Sequence, residues 1–269
     1  MARTGLAHPD IYLERLSRPL QEKLKVLKFF PPHSSQILDV GCADGTVTRA
    51  IASVFTKSKV TGIDLNAGFI NRGKSKSRGI SNLKFEVVYL RELLARPERY
   101  SVILFCSVLH EFYTYGQGIS SVLKALADAH ELLLPGGRII IRDMILEDYT
   151  LGSNLHVAGM LHKIRRRPYL SRLHDFEKVF GPIKDTNSLN HFLLKYMYTE
   201  NWKHECPENY IPVTSSQYEA IFSLLGMRVQ HKHSYLIDYL YRKWMDDFKL
   251  TPDEMSDLKS TAIFVAQKV

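Results

Sequence analysis

Asp39, Gly41, Gly45 and Asp64 are the first residues whose types and spacing could do chemistry. They lie in ILDVGCADGTVTRAIA and VTGIDLN, two apolar runs that each close on an acid or a glycine. Gly41 lets the backbone turn sharply and approach a ligand closely. Gly45 permits tight packing where the next helix begins, with its free N–H groups facing the same space. Asp64 falls nineteen residues after Gly45, where an acid ending the second strand would accept hydrogen bonds from ribose hydroxyls. A nucleotide-type ligand fits this arrangement. The dinucleotide pattern G-x-G-x-x-G, counted from Gly41, meets Ala43 and Thr46 in place of its other glycines, which weakens a nicotinamide reading.

A second group follows the fourth apolar run, in SVLHEFYTY (107–115). His110 is a candidate general base, because imidazole titrates in the useful range. Glu111 could orient that histidine, bind an amine or act as base itself. Equally, Leu109 and His110 could simply pack beside a ligand. Arg142 and Asp143 end the fifth run and should face the substrate edge, or else pair with each other to fix the loop. Phe192, Tyr196 and Tyr198, in a stretch that also carries His191, His204 and Glu205, could wall an aromatic pocket. Leu193, Tyr196 and Met197 read as well as the apolar face of a helix. For metals, His204 with Cys206 and His231 with His233 are the only suggestive pairs, and no spacing supplies a further one. No metal is expected.

The elements that must position these residues alternate regularly. Ile37–Val40, Val60–Asp64, Leu83–Val88, Val102–Cys106 and Arg138–Asp143 read as strands, the last entered through the PGG turn at 135–137. Gly45–Phe55, Ala67–Arg78 and Ile119–Leu134 read as the helices between them. Residues 10–30 suggest one or two short helices broken near Pro19. Residues 145–212 are rich in aromatics and histidines and suggest a helical insertion over the carboxyl edge of a parallel sheet. Ser215–Leu225 then reads as a helix, Met227–Gln230 as a strand, Ser234–Phe248 as a helix and Thr261–Lys268 as the last strand.

In order and spacing, ILDVGCADGTVTRAIA, VTGIDLN, YSVILFCSVLHEFY and AHELLLPGGRIIIRD together resemble the class I S-adenosylmethionine-dependent methyltransferases, over residues 36 to 145. The resemblance implies an α/β fold: a doubly wound, Rossmann-like sheet of seven mostly parallel strands in the order 3-2-1-4-5-7-6. It further implies that S-adenosylmethionine is the cofactor. Asp39 and the loop Gly41, Cys42, Ala43 to Gly45 would hold its methionine end, Asp64 its ribose, and Leu65 its adenine, with Tyr89, Leu90 and Cys106 completing the set. Ala43 stands where many members have glycine. Tyr89 stands where many have an acid that meets the adenine, a place that Glu86 or Glu92 could take instead.

The 269 residues suffice for a single α/β domain with a sizeable core, here divided as N-terminal helices (1–35), cofactor-binding core (36–145), lid insertion (146–212) and the remainder of the core (213–269). Cys42, Cys106 and Cys206 form no paired framework, and MARTGLAHPD lacks a signal-peptide core, so a cytoplasmic chain without a membrane partner is expected. The net charge of +8 is carried partly by Lys74, Lys76 and Arg78 and by Arg165, Arg166 and Arg167, clusters too short to require nucleic acid. The resulting expectation is methyl transfer to an oxygen or nitrogen of a small molecule, through His110 or Glu111. An RNA acceptor is the first alternative, disfavoured because Cys106-Ser107-Val108-Leu109 occupies the place of an N-P-P-Y-like segment. A non-catalytic cofactor-binding subunit is the second.

Overall fold

Alternating apolar residues along five short runs have to be covered on both sides, and the chain achieves this by laying the runs parallel and flanking them with helices. The computed structural model describes residues 6–148, 154–165 and 168–269. Strands β1 (Gln36–Val40), β2 (Lys59–Asp64), β3 (Leu83–Val87), β4 (Tyr100–Cys106), β5 (Leu133–Asp143), β6 (Met227–Tyr235) and β7 (Thr261–Lys268) form one sheet in the order β3-β2-β1-β4-β5-β7-β6. β1 to β5 pair in parallel, and β7 runs antiparallel to both neighbours. The expected fold class and strand order are therefore both present. Because β2 and β4 flank β1, the direction of winding reverses there. A crevice opens beyond the carboxyl ends of β1 and β4.

The period of two sorts the strands between two cores. Leu38, Val40, Ile103, Phe105, Ile139 and Ile141 face one side, under helices α6 (Ile119–Leu132) and α11 (Ser215–Leu224). Ile37, Val102, Leu104, Ile140, Ile263 and Val265 face the other, under α3 (Thr46–Val54) and the N-terminal segment. Burying each such side chain is worth about 1.5–3 kcal/mol. The N-terminal segment is α1 (Pro9–Ser17), α2 (Leu20–Leu24) and a 3-10 turn at Lys25–Phe29, broken at Pro19 as expected. Helix α4 (Ala67–Lys76) follows β2, with Asn66 capping its first turn, and the short α5 (Leu109–Thr114) follows β4.

Between β5 and α11 lie α7 (Asn154–Arg165), α8 (Leu170–Phe180), α9 (Thr186–Lys195) and α10 (Trp202–Glu205). They share one apolar cluster with α12 (Asp238–Phe248), which lies between β6 and β7: Met160, Phe176, Phe192 and Tyr196 pack with Trp244 and Phe248. Phe192 and Tyr196 are thus interior residues of the helical layer and do not line the cleft described below. Arg166 and Arg167 lie outside the described residues.

Several boundaries differ from the sequence reading, most of all around β6 and β5. β6 runs on to Tyr235, and α12 starts only at Asp238. The antiparallel ladder continues to Tyr235 opposite Thr261, and pairing satisfies backbone groups that a helix start would leave open. The PGG stretch lies inside β5, at a register shift between Tyr100 and Val102 on β4. A bulge there absorbs the extra residues, so strand pairing resumes at Arg138.

Candidate functional site

A cleft of about 290 Å³ opens at the carboxyl ends of β1, β2 and β4. Its floor is the loop after β1. Gly41 has φ +69° there, and a Cβ would collide with Val108, so only glycine fits. The N–H groups of Gly41 and Cys42 donate to the Ile63 carbonyl at 2.9 and 3.0 Å, tying the loop to β2. Ala43 holds φ +49°, a left-handed conformation costing a non-glycine residue about 1–2 kcal/mol. Gly45, at φ +73°, starts α3 against the Phe85 ring and lies behind the cleft, not in its lining.

Two carboxylates face this loop. Asp64 accepts from the N–H of Ala43 at 2.9 Å and from that of Asn66 at 2.8 Å. It therefore fastens the loop while lining the cleft, and burial raises its pKa. Asp39 is 2% exposed and accepts from the Thr48 hydroxyl at 2.7 Å. Burial pushes its carboxyl up to about 7, against the opposing pull of Thr48 and Lys23. Leu65, Asn66, Phe69, Val88, Tyr89 and Leu90 continue the lining. Cys42, Ala43 and Cys106 line it as well. Glu86 and Glu92 do not: Glu86 pairs with Lys84 and Arg96 at 2.8 Å each, and Glu92 accepts the Tyr89 N–H at 2.9 Å. Neither glutamate reaches the lining, where Tyr89, 55% exposed, stands instead. Replacing Asp64 with alanine should lower affinity for S-adenosylhomocysteine about ten- to a hundredfold, since charge-assisted hydrogen bonds are worth about 1.5–3 kcal/mol. Calorimetry showing unchanged binding would leave Asp64 with the loop alone.

Lys23 is the residue that the sequence reading missed. It projects from α2 into the cleft lining, is 7% exposed, and its side chain makes no hydrogen bond or ion pair among the described residues. Burial lowers its pKa, while Cys106, Asp39 and Asp143 hold it up. One lysine in a short helix carries no sequence signal; only the packing of α2 on α3 brings it to the site. Tyr12, from α1, also lines the cleft. Helix α1 is held over it where His8 and Asn201 exchange hydrogen bonds at 3.0 and 3.2 Å and Arg15 pairs with Glu200.

The residues after β4 divide. Glu111 lines the cleft, whereas His110 is 5% exposed and does not. The His110 Nδ1 lies 2.8 Å from Asp143 Oδ1 and its Nε2 3.3 Å from Glu208 Oε1. Burial alone would lower the imidazole's pKa, but the two carboxylates outweigh it and hold it well above the ordinary value. Of the two candidate bases, only Glu111 lines the cleft. Arg142 and Asp143 do not pair with each other: Arg142 donates to the Ser107 hydroxyl at 3.3 Å, and Asp143 serves His110. Glu208 arrives from the helical layer, whose Lys195, fully buried, donates to the carbonyls of Glu205, Cys206 and Glu208. His191 accepts the Tyr210 N–H at 3.1 Å, and burial, with Lys195, holds its pKa well below the ordinary value. Of the histidine pairs weighed for metal, His231 packs on Phe29 and His233 on Tyr235. Instead, tertiary structure brings ligand atoms of His110, Glu111 and Glu208 within 4.8 Å of one another.

Strand order, the loop after β1 and the acid ending β2 define the class I S-adenosylmethionine-dependent methyltransferase fold. Residues 38–139 match the family described as methyltransferase domain. It is 31% identical over 154 residues to the probable methyltransferase ltbC of Aspergillus luteorubrus, covering 55% of this chain and 53% of that protein. The chain thus spans about half the length of that curated relative. An O-methyltransferase family protein from Burkholderia thailandensis superposes with a TM-score of 0.57 at 12% identity, over 96% of this chain and 59% of that one. The N-methyltransferase NodS of Bradyrhizobium japonicum, solved with S-adenosyl-L-homocysteine, gives 0.51 at 13% identity, over 94% and 90%. The lining fits the cofactor of this family. A buried cation whose side chain has no partner suits a carboxylate, and one buried and one half-buried carboxylate suit an ammonium and ribose hydroxyls. No helix among the described residues is long and apolar enough to cross a membrane.

Proposed function

We propose that this protein transfers a methyl group from S-adenosylmethionine to an oxygen or nitrogen of a small-molecule acceptor. The observation that carries the reading is the cleft itself, where Asp39, Lys23 and Asp64 converge from three elements around the loop after β1. S-adenosylmethionine, when bound, supplies a methyl group already activated on a cationic sulfur. The chain's remaining task is to align an acceptor and exclude water. Tyr12, Glu111, Phe112 and Tyr115 line the part of the cleft reached by α1 and α5, and an acceptor seated there meets aromatic walls with one carboxylate. Glu111 is placed to take a proton from an attacking hydroxyl or amine.

A small acceptor is favoured because α1 and the helical layer cover the cleft: His8 and Asn201 join them on one side, and Thr114 and Tyr115 reach Asn209 and Glu208 on the other. A metabolite pool and bulk RNA, offered in parallel with methyl-labelled cofactor, should give a labelled small molecule and unlabelled RNA. Label in RNA, with binding that weakens steeply as salt rises, would overturn the acceptor class. No transfer to either pool would count against catalysis.

The raised pKa of Asp39 supplies a pH dependence. An ammonium ligand needs the carboxylate, which is about one-tenth present at pH 6 and nine-tenths at pH 8 for a group titrating near 7. Affinity for S-adenosylhomocysteine should therefore rise about tenfold across that interval, and Asp39→Asn should flatten the profile. An identical slope in the variant would remove Asp39 as its source.

A further inference from the structure

We propose that His110, Glu111 and Glu208 form a site for one first-row divalent metal ion beside the cleft. Each residue offers one ligand atom, and the three atoms lie within 4.8 Å of one another. A metal bonded at about 2.0–2.2 Å to nitrogen and oxygen holds tetrahedral ligand atoms about 3.4 Å apart, so the three would draw together around it.

The histidine is held as a ligand histidine is held. Its Nδ1 meets Asp143 Oδ1 at 2.8 Å, which leaves Nε2 on the side of the two glutamates. Asp143 is itself fixed by the N–H groups of Val108 at 3.1 Å, His110 at 3.2 Å and Met144 at 2.9 Å. A carboxylate behind the imidazole sets its tautomer and raises its basicity toward a metal. Asp143 is not one of the three ligands, so this orientation is a separate observation from their clustering. His110 and Glu208 are buried, and Glu111 lines the cleft, so the cluster joins the interior to the space where an acceptor would sit.

One nitrogen with two carboxylates suits Mn²⁺, Fe²⁺ or Zn²⁺ better than Mg²⁺, which prefers an all-oxygen octahedron and retains its waters. On the methyl-transfer reading, such an ion would lower the pKa of an acceptor hydroxyl. That role rests on the proposed function; the binding of the ion does not.

The test uses the full chain, stripped with chelator and titrated with MnCl₂, with bound Mn²⁺ followed by electron paramagnetic resonance. One equivalent should bind with a Kd below about 1 mM, and Glu111→Gln and Glu208→Gln should each weaken it about tenfold or more. S-adenosylhomocysteine binding, measured on the same samples, separates loss of this site from failure of the cofactor reading. Should Glu208→Gln not fold, as judged by circular dichroism, half-buried Glu111 decides alone. No binding up to about 1 mM, or binding unmoved by Glu111→Gln, overturns the site and leaves an ion triad among His110, Asp143 and Glu208.

Discussion

In metal-free protein, His110→Ala should lower folding stability by about 3–5 kcal/mol. The imidazole lies between Asp143 and Glu208, both essentially buried, at 2.8 and 3.3 Å. Taking one partner from a buried ionic cluster leaves buried charge without the group that balanced it, and that loss is the costly one. Asp143 would keep three backbone donors, although the His110 N–H among them depends on α5 staying in place. Glu208 would lose its link to the sheet, and with it goes a tie between the helical layer and the carboxyl edge. Urea denaturation measures the effect directly. A loss below about 1 kcal/mol would show that the two carboxylates are protonated or hydrated in the folded chain. Lost turnover in this variant would therefore report the fold before it reported a catalytic base.

Lys23→Met should weaken binding of S-adenosylhomocysteine about ten- to a hundredfold while leaving 5′-methylthioadenosine unaffected. The second ligand lacks the amino-acid portion and so has no carboxylate for Lys23 to meet. A charged hydrogen bond of about 1.5–3 kcal/mol sets the size of the effect. Methionine retains the stem's packing and removes a buried ammonium that nothing else in the described structure bonds, so the ligand-free chain should be no less stable. Calorimetry with the two ligands decides it. Equal weakening of both would mean that Lys23 shapes the cleft, and no weakening of either would place the carboxylate elsewhere.

Much of the cofactor side was legible in the chain because it is local. Asp39, Gly41 and Asp64 lie within one strand–helix–strand unit, and a glycine turn followed by an acid at the next strand end needs no knowledge of distant packing. The apolar runs could be ordered into a sheet for the same reason, since a period of two is a property of each strand by itself. What escaped was long-range. Lys23 looks like any surface lysine until α2 packs against α3, and Glu208 sits in a stretch whose aromatics suggested a pocket. Spacing could pair His204 with Cys206, but not His110 with Glu208.

By itself, then, the sequence determined the class of fold, the turn and acids that face the cleft, and the chain segments bearing them, because those depend on neighbours in the chain. Tertiary structure alone decided that a lysine completes the cleft, that His110 is held between two carboxylates, and that α12 shares a core with α7 to α10. The reason is that apolar periodicity says a face must be buried without saying against what. A buried charge finds its partner only once those faces have met.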